Sequence, residues 1–484
     1  MSGRHLVPPS GVFGLAFAMV LLALQPGQAQ NLPPYSVLNP GTGTTTLPGM
    51  TTAQAAMARS IDNVCPTISA QQPGSDLANV CGAMIGTALA ALGQANPGGL
   101  PSIGLSVAAT ENALQQLNGG AVTLVPTNQV SQLRTVQTQI LAARLTVLRT
   151  RMLGEQDTPD SVVRLAANDT GAVQDLPGRI QLAQAAPTEA SIWSGKLGLF
   201  GNLIGQFGSR DPTSTQNGFS FNNEGFLMGG DYRFTPDFAA GAAFGYNYSS
   251  TDFDTNPNSA PGQYLHSNLF QINLYSTWQA TDALYLDALA SLGFGTNDAK
   301  RHILIPGLPG GGDRTATGSF DGQTVAAAFG GGYNIPFGAL TVTPTARLEY
   351  RYVHSDSFTE SGAAGLDLTY GASSQSAILS FLGGQAAYAI SMDWGVLSPT
   401  VRANWAHQYN SGHSSIYVAY ANDPSLTSAF VMSGDASDRN YYQLGVGLAV
   451  QLSGGRSAFI NYDAIVGLNK TSYNSFTAGV RFDF

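Results

Sequence analysis

Of the 484 residues only 11% are charged, while glycine reaches 57 residues and aromatic residues 10%. An average soluble protein carries roughly 25% charged residues, so the composition argues against a soluble multidomain enzyme and for a β-rich chain whose outer surface does not face water. The formal net charge of -9 gives no support to nucleic-acid binding, which normally shows a basic patch.

At the N-terminus, Arg4 and His5 precede the apolar run "GVFGLAFAMVLLAL" and then "QPGQAQ", with Gly27 and Ala29 at the small-residue positions of a cleavage site. This reads as a secretory signal over 1–29, cut between Ala29 and Gln30. No later tract approaches the ~20 uninterrupted apolar residues of a transmembrane helix. A membrane span in this chain therefore has to be made of strands.

Residues 30–126 open with "NLPPYSVLNPGTGTTTLPGM", which has no periodicity and the Pro, Gly and Thr of an exposed segment. Helices are predicted over 52–64, 75–92 and 110–118. Cys65 and Cys81 are the only cysteines. In an exported chain an isolated pair points to a disulfide, here stapling a helical hairpin, rather than to a zinc site that needs further ligands. Closing such a loop contributes about 3 kcal/mol in the chain-entropy picture.

Residues 127–190 are predicted as a helix and linker. The stretch "TNQVSQLRTVQTQILAARLTVLRTRM" sets Val130, Leu133, Val136, Ile140 and Val147 on one stripe, with Arg134, Arg144, Arg149 and Arg151 elsewhere. About 24 residues at about 1.5 Å each span about 36 Å, enough to thread a membrane. Two readings stand: a helix lodged in a pore, or an ordinary amphipathic helix of the N-terminal region.

From about residue 191 the pattern changes to a period of two. In "GALTVTPTARLEYRY", Leu340, Val342, Pro344, Ala346, Leu348, Tyr350 and Tyr352 share one face and Thr341, Thr343, Thr345, Arg347, Glu349 and Arg351 the other. "DFAAGAAFGYNY", "LSPTVRANWAHQY" and "YYQLGVGLAVQL" repeat it. A sandwich also alternates, but these strands exceed the five or six residues typical of globular sheets. They are joined alternately by tight turns and by longer polar segments near 207–217, 252–263, 299–315, 356–374 and 410–438, the rhythm of an outer-membrane barrel. Twelve strands are predicted, at 191–206, 218–234, 237–251, 264–279, 283–297, 317–334, 339–355, 375–390, 394–409, 440–452, 456–468 and 473–484. The fold class is thus an all-β transmembrane barrel of about 12 antiparallel strands, preceded by a small α-helical region. In the last strand Phe476, Ala478, Val480, Phe482 and Phe484 alternate with Thr477, Gly479, Arg481 and Asp483, and pairing it with the first strand closes the barrel with its aromatic row toward lipid. The same alternation points Asp287, Arg347, Glu349, Arg351, Arg402, Asp463 and Arg481 into the lumen, where the acids would meet the arginines of 129–152.

The segments "LEYRYVHSDSFTESGAAGLDLTYGASSQSAILSFLGG", "LSPTVRANWAHQY" and "SAFINYDAIVGLNKTSYNSFTAGVRFDF" resemble, in order, the translocator domain of bacterial autotransporters, the type V secretion family, over about 191–484. The resemblance implies a twelve-stranded, monomeric barrel in the outer membrane of a Gram-negative bacterium, with the short passenger at 30–126 carried through it and displayed at the cell surface. It implies as partners outer-membrane lipid, periplasmic chaperones and the barrel-assembly machinery. That machinery would read the C-terminal strand at Phe476, Val480, Phe482 and Phe484. A host or surface ligand is left open.

The resemblance implies that an enzymatic passenger would be an esterase or a serine protease. No G-x-S-x-G elbow occurs, and no histidine lies between His5 and His266, so a Ser–His–acid triad cannot be assembled ahead of the barrel. "GTND" at 295–298 resembles one esterase block but falls in a predicted strand, and "DFDTNPN" at 252–258 lacks the glycine and distal glutamate of a calcium loop. No catalytic residue, cofactor or metal is expected. No Asn–Asn cleavage pair precedes the barrel, the nearest feature being Asn168-Asp169, so the passenger is expected to stay attached. The class-distinct alternative is a porin-like channel whose N-terminal region is periplasmic or plugs the lumen.

Overall fold

The computed structural model describes residues 47–119 and 196–484, apart from residues 97, 411, 412 and 454. The expected signal, the helix over 129–152 and Asn168-Asp169 lie outside the described residues. The strands are β1 Leu197–Arg210, β2 Phe219–Thr235, β3 Phe238–Phe253, β4 Tyr264–Gln279, β5 Leu284–Leu304, β6 Asp313–Tyr333, β7 Ile335–Phe337, β8 Leu340–Ser355, β9 Phe358–Thr359, β10 Leu368–Tyr370, β11 Ser373–Tyr388, β12 Ile390–Met392, β13 Gly395–Gln408, β14 His413–Tyr420, β15 Phe430–Ala436, β16 Asn440–Leu452, β17 Arg456–Val466 and β18 Thr471–Asp483.

Twelve of these close on themselves in the order β1-β2-β3-β4-β5-β6-β8-β11-β13-β16-β17-β18, with β18 returning to β1. β1 and β18 pair from Gly198 opposite Asp483 to Arg210 opposite Thr471. Every barrel strand therefore has two neighbours and no edge is left open. β7 and β12 are short extensions at tight turns, pairing with β8 and β13.

The period of two decides what faces out. Leu203, Phe244, Ile272, Phe294, Leu348, Val446 and Phe476 all project exposed from the wall, a surface suited to hydrocarbon and not to water. On β5 the outward-facing positions from Leu284 to Phe294 are all apolar and then give way to Thr296 and Asp298. Ten steps at about 3.4 Å, tilted about 40°, give a belt about 26 Å tall, matching the apolar band of outer-membrane barrels.

Two of the long connections, expected from the sequence only as longer polar segments, carry strands of their own. Segments within 356–372 and 409–439 build a second sheet in the order β15-β14-β10-β9. These strands are two to eight residues long, too short for alternation to stand out against turn residues. β5 and β6 also run on beyond the belt to Leu304 and from Asp313, so most of the predicted 299–315 loop is hairpin.

Among the described residues three helices precede the barrel: α1 Thr52–Gln71, α2 Asp76–Ala91 and α3 Val107–Asn118. Their starts are written in the sequence. Thr51 and Gln54 form a capping box, and Ser75 and Ser106 accept the N–H groups of Ala78 and Ala109. α1 runs seven residues past its expected end at 64, through Pro66. Proline removes a helix hydrogen bond, but Val64, Cys65 and Ile68 on the same face are buried in the core, and that burial carries the helix onward. Cys65 and Cys81 are joined with their Cα atoms 5.5 Å apart. They lie within α1 and α2, not at adjoining ends as the shorter α1 would have placed them.

Candidate functional site

The barrel interior and its mouth hold the chemistry. On the inner wall Glu349, 1% exposed, lies between Arg351 at 2.6 Å and Arg347 at 3.5 Å. The Arg347 guanidinium sits 4.3 Å over the Phe381 ring, a cation–π contact that holds it against the wall. Arg402 pairs with Asp463 at 2.9 Å and donates to Asn461 at 3.3 Å. Arg481 reaches both oxygens of Asp231 at 3.2 Å and also contacts Asp483. Asp287 shares the inward row of Tyr285 and Leu289 and is half-buried. Glu349 and Asp463 thus find arginines in the barrel wall itself. Phe200, Ile204, Leu227 and Phe381 also project inward and are buried, so the interior is less uniformly polar than alternation alone suggests. On the opposite, outer face of β18, Phe476, Val480 and Phe482 are exposed, as is Phe484 beyond it. Phe476 stacks on Phe207 of β1 at 6.2 Å across the closing seam.

The two ends of the barrel differ. β1 begins and β18 ends beside the tight turns. All three helices lie at the other end, among the long connections. There the guanidinium of Arg301, at the tip of β5 and 1% exposed, binds Glu360 through two nitrogens at 3.0 and 2.5 Å and the Leu366 carbonyl at 2.8 Å. Its remaining nitrogen donates to the Leu117 carbonyl of α3 at 3.4 Å. Glu360 also accepts from the Tyr370 hydroxyl at 3.0 Å and the Leu368 N–H at 3.0 Å. Each lone pair of this buried carboxylate is thereby engaged, which is the condition for burying a charge without a large penalty. Phe320, Phe358 and Tyr370 stack in series at 4.5 and 4.6 Å beside it. Burial pushes the Tyr370 and Tyr420 phenols up, Tyr370 further through the neighbouring Glu360 charge, and both stay protonated.

A second tie joins the helices to the loops: Arg314 at the start of β6 binds both oxygens of Asp76 on α2, at 2.5 and 3.0 Å. A third joins loop to barrel rim. Arg210 donates to Asp435 at 2.6 Å, and Thr213 and Thr215 donate to the same carboxylate. Burial raises the Asp435 carboxyl, but these hydrogen bonds outweigh it and hold the group low. Asp423 is likewise held low by the Ser428 N–H and the Ser425 and Thr427 hydroxyls against the upward pull of burial. The alternation places Arg301 and Arg314 on the inward face, and that parity was the one available signal for them. Asp76 and Glu360 carry no sequence signal, since nothing local shows what they meet. Among the described residues no group of three or more His, Cys, Asp or Glu side chains could hold a metal ion.

A family model described as the autotransporter beta-domain matches residues 199–463. Among solved structures, the translocator domain of the autotransporter NalP from Neisseria meningitidis is 19% identical with a TM-score of 0.47, covering 60% of this chain and 89% of that one. The transport unit of the autotransporter AIDA-I from Escherichia coli is 17% identical with a TM-score of 0.41, covering 62% and 93%. The toluene transporter TodX from Pseudomonas putida is 10% identical with a TM-score of 0.36, covering 60% and 89%. No curated protein sequence matches the chain.

Proposed function

This chain belongs to the autotransporter beta-domain family, and on that premise we propose that its outer-membrane barrel moves its own short N-terminal passenger to the cell surface and anchors it there. One observation carries the reading. Short turns mark the periplasmic end of such barrels and long loops the outer end. The helices at 52–118 sit among the long loops, whereas β1 starts at Leu197 beside the tight turns and the C-terminal residues. The chain between Gly119 and Leu197 therefore has to connect the outer end of the barrel to its periplasmic end.

The barrel's work in this reading is transport and anchoring, not catalysis. The passenger is non-enzymatic, in keeping with the lack of any histidine between His5 and His266, and serves surface interaction, adhesion being one form. Placement of α1 to α3 at the long-loop end weighs against a channel with a periplasmic N-terminal region. The experiment is an epitope tag inserted after Ala29, probed in intact cells with and without external protease. A tag that is seen and removed from outside supports export. A tag reached only after the outer membrane is opened overturns it.

A further inference from the structure

An exported domain that merely hangs from its barrel needs no built contact with the loops. Here the contact is built from both sides. We propose that the long loops are a receptor for the chain's own helical unit, residues 47–119, which docks on them and stays bound even when its covalent connection to β1 is cut. The inference rests on the export reading above for the order of events, since the unit reaches the loops from the lumen.

The contact is specific in charge, backbone and shape. At the N-terminus of α2, Asp76 is gripped by Arg314, and its Oδ2 also accepts the Gly365 N–H at 3.0 Å. At the opposite end of the unit, Arg301 turns its guanidinium onto the Leu117 carbonyl at the C-terminus of α3, where a cation is favoured by the helix dipole. Gln116 beside it accepts the Leu304 N–H at 2.7 Å and donates to the Pro257 carbonyl at 3.1 Å. On α1, the Ser60 hydroxyl donates to the Ser428 carbonyl at 2.6 Å, and Met57 lies against the Tyr420 hydroxyl at 3.3 Å. These partners come from the β3–β4 and β8–β11 connections, the β5–β6 hairpin and the β13–β16 connection, so the unit bridges the mouth instead of touching one side.

Shape is equally close. A Cβ on Gly365 would stand 2.5 Å from the Leu77 nitrogen, and one on Gly119, at φ 65°, would run into Tyr370 and Leu368. The apolar core is continuous across the boundary, with Met57, Ile61, Leu114 and Leu117 on one side and Leu366, Leu368 and Tyr420 on the other. A unit of this size is short of core by itself. Undocking would expose apolar surface on both partners and strip Arg301 of an acceptor in a dry site, and both consequences oppose release.

The test uses the full-length protein in detergent, carrying a sequence-specific protease site inserted after Gly120. Cleavage is verified on a denaturing gel, barrel integrity by heat-modifiable mobility, and association by size-exclusion chromatography. The expected result is co-elution of the cut helical fragment with the barrel. Asp76→Arg is expected to weaken retention by about 10- to 100-fold, and adding Arg314→Asp to restore it, a rescue that a folding defect would not give. Separation of the wild-type fragment from an intact barrel overturns the proposal and leaves export standing. A tag hidden in intact cells, with fragments that still co-elute, overturns export and leaves docking standing.

Discussion

Arg314 and Asp76, 238 positions apart in the chain, face each other through two parallel hydrogen bonds at the boundary between barrel and helices. Bidentate guanidinium–carboxylate pairs of this kind fix orientation as well as adding energy. A double-mutant cycle of Asp76→Asn and Arg314→Gln should give a coupling of about 1 to 3 kcal/mol, read as earlier thermal melting of the helical signal while the heat-modifiable band of the barrel is unchanged.

Arg301 and Glu360 form the deeper pair, and its response should be asymmetric. Removing one partner, as in Arg301→Met, leaves a buried carboxylate without its cation and should cost about 3 to 5 kcal/mol. Replacing both by apolar residues of similar volume, Arg301→Met with Glu360→Leu, should recover only part of that loss, because the Tyr370 hydroxyl and the Leu368 N–H then lack their acceptor. Urea titration of the mouth, followed by hydrogen exchange in β10 and β14, checks it, and equal losses from the single and double changes would refute the pairing as the cause.

Acid should loosen the mouth before the barrel. Asp423 and Asp435 are both held below the ordinary 3.8 by hydrogen bonds formed only in the folded loops. Each therefore contributes stability that is complete above about pH 4 and is lost as the pH falls through its lower folded value. Asp367 works the other way, because burial raises its carboxyl, and its share of stability increases on acidification. Asp435→Asn should flatten the acid loss and Asp367→Asn should steepen it, as measured by exchange or limited proteolysis of residues 413–436 between pH 6 and pH 2.5.

Reduction should act on the helices alone. The Cys65–Cys81 link spans 16 positions, and its removal by Cys65→Ala with Cys81→Ala should cost about 3 kcal/mol. Far-UV melting of the helical signal should shift down while the barrel's mobility on unheated gels stays the same.

The outer row of β18 should resist charge. Phe476 is 48% exposed on the apolar belt, and Phe476→Arg there should cost about 2 to 4 kcal/mol near the midplane. The same change at inward Ser475, which is fully buried on the lumen side, should instead be limited by space. Yield of folded, heat-modifiable barrel in membranes distinguishes the two.

Much of this protein is determined by local pattern. A strand's side chains alternate whatever surrounds it, so the period of two sorted Leu348 outward and Glu349 inward without any knowledge of the partner strands. Length and turn rhythm gave twelve strands, and three helices were expected to start within a few residues of their places. What tertiary structure alone decided is who meets whom. α1 passes Pro66 because a core rewards the extra turns, and the sheet of β9, β10, β14 and β15 forms from pieces too short to carry a period. Asp76 finds Arg314, and Arg301 finds both Glu360 and the end of α3, across separations that no local pattern encodes. Those contacts depend on closing the barrel first, because only closure brings the long connections into one ring where a single helical unit can touch them together.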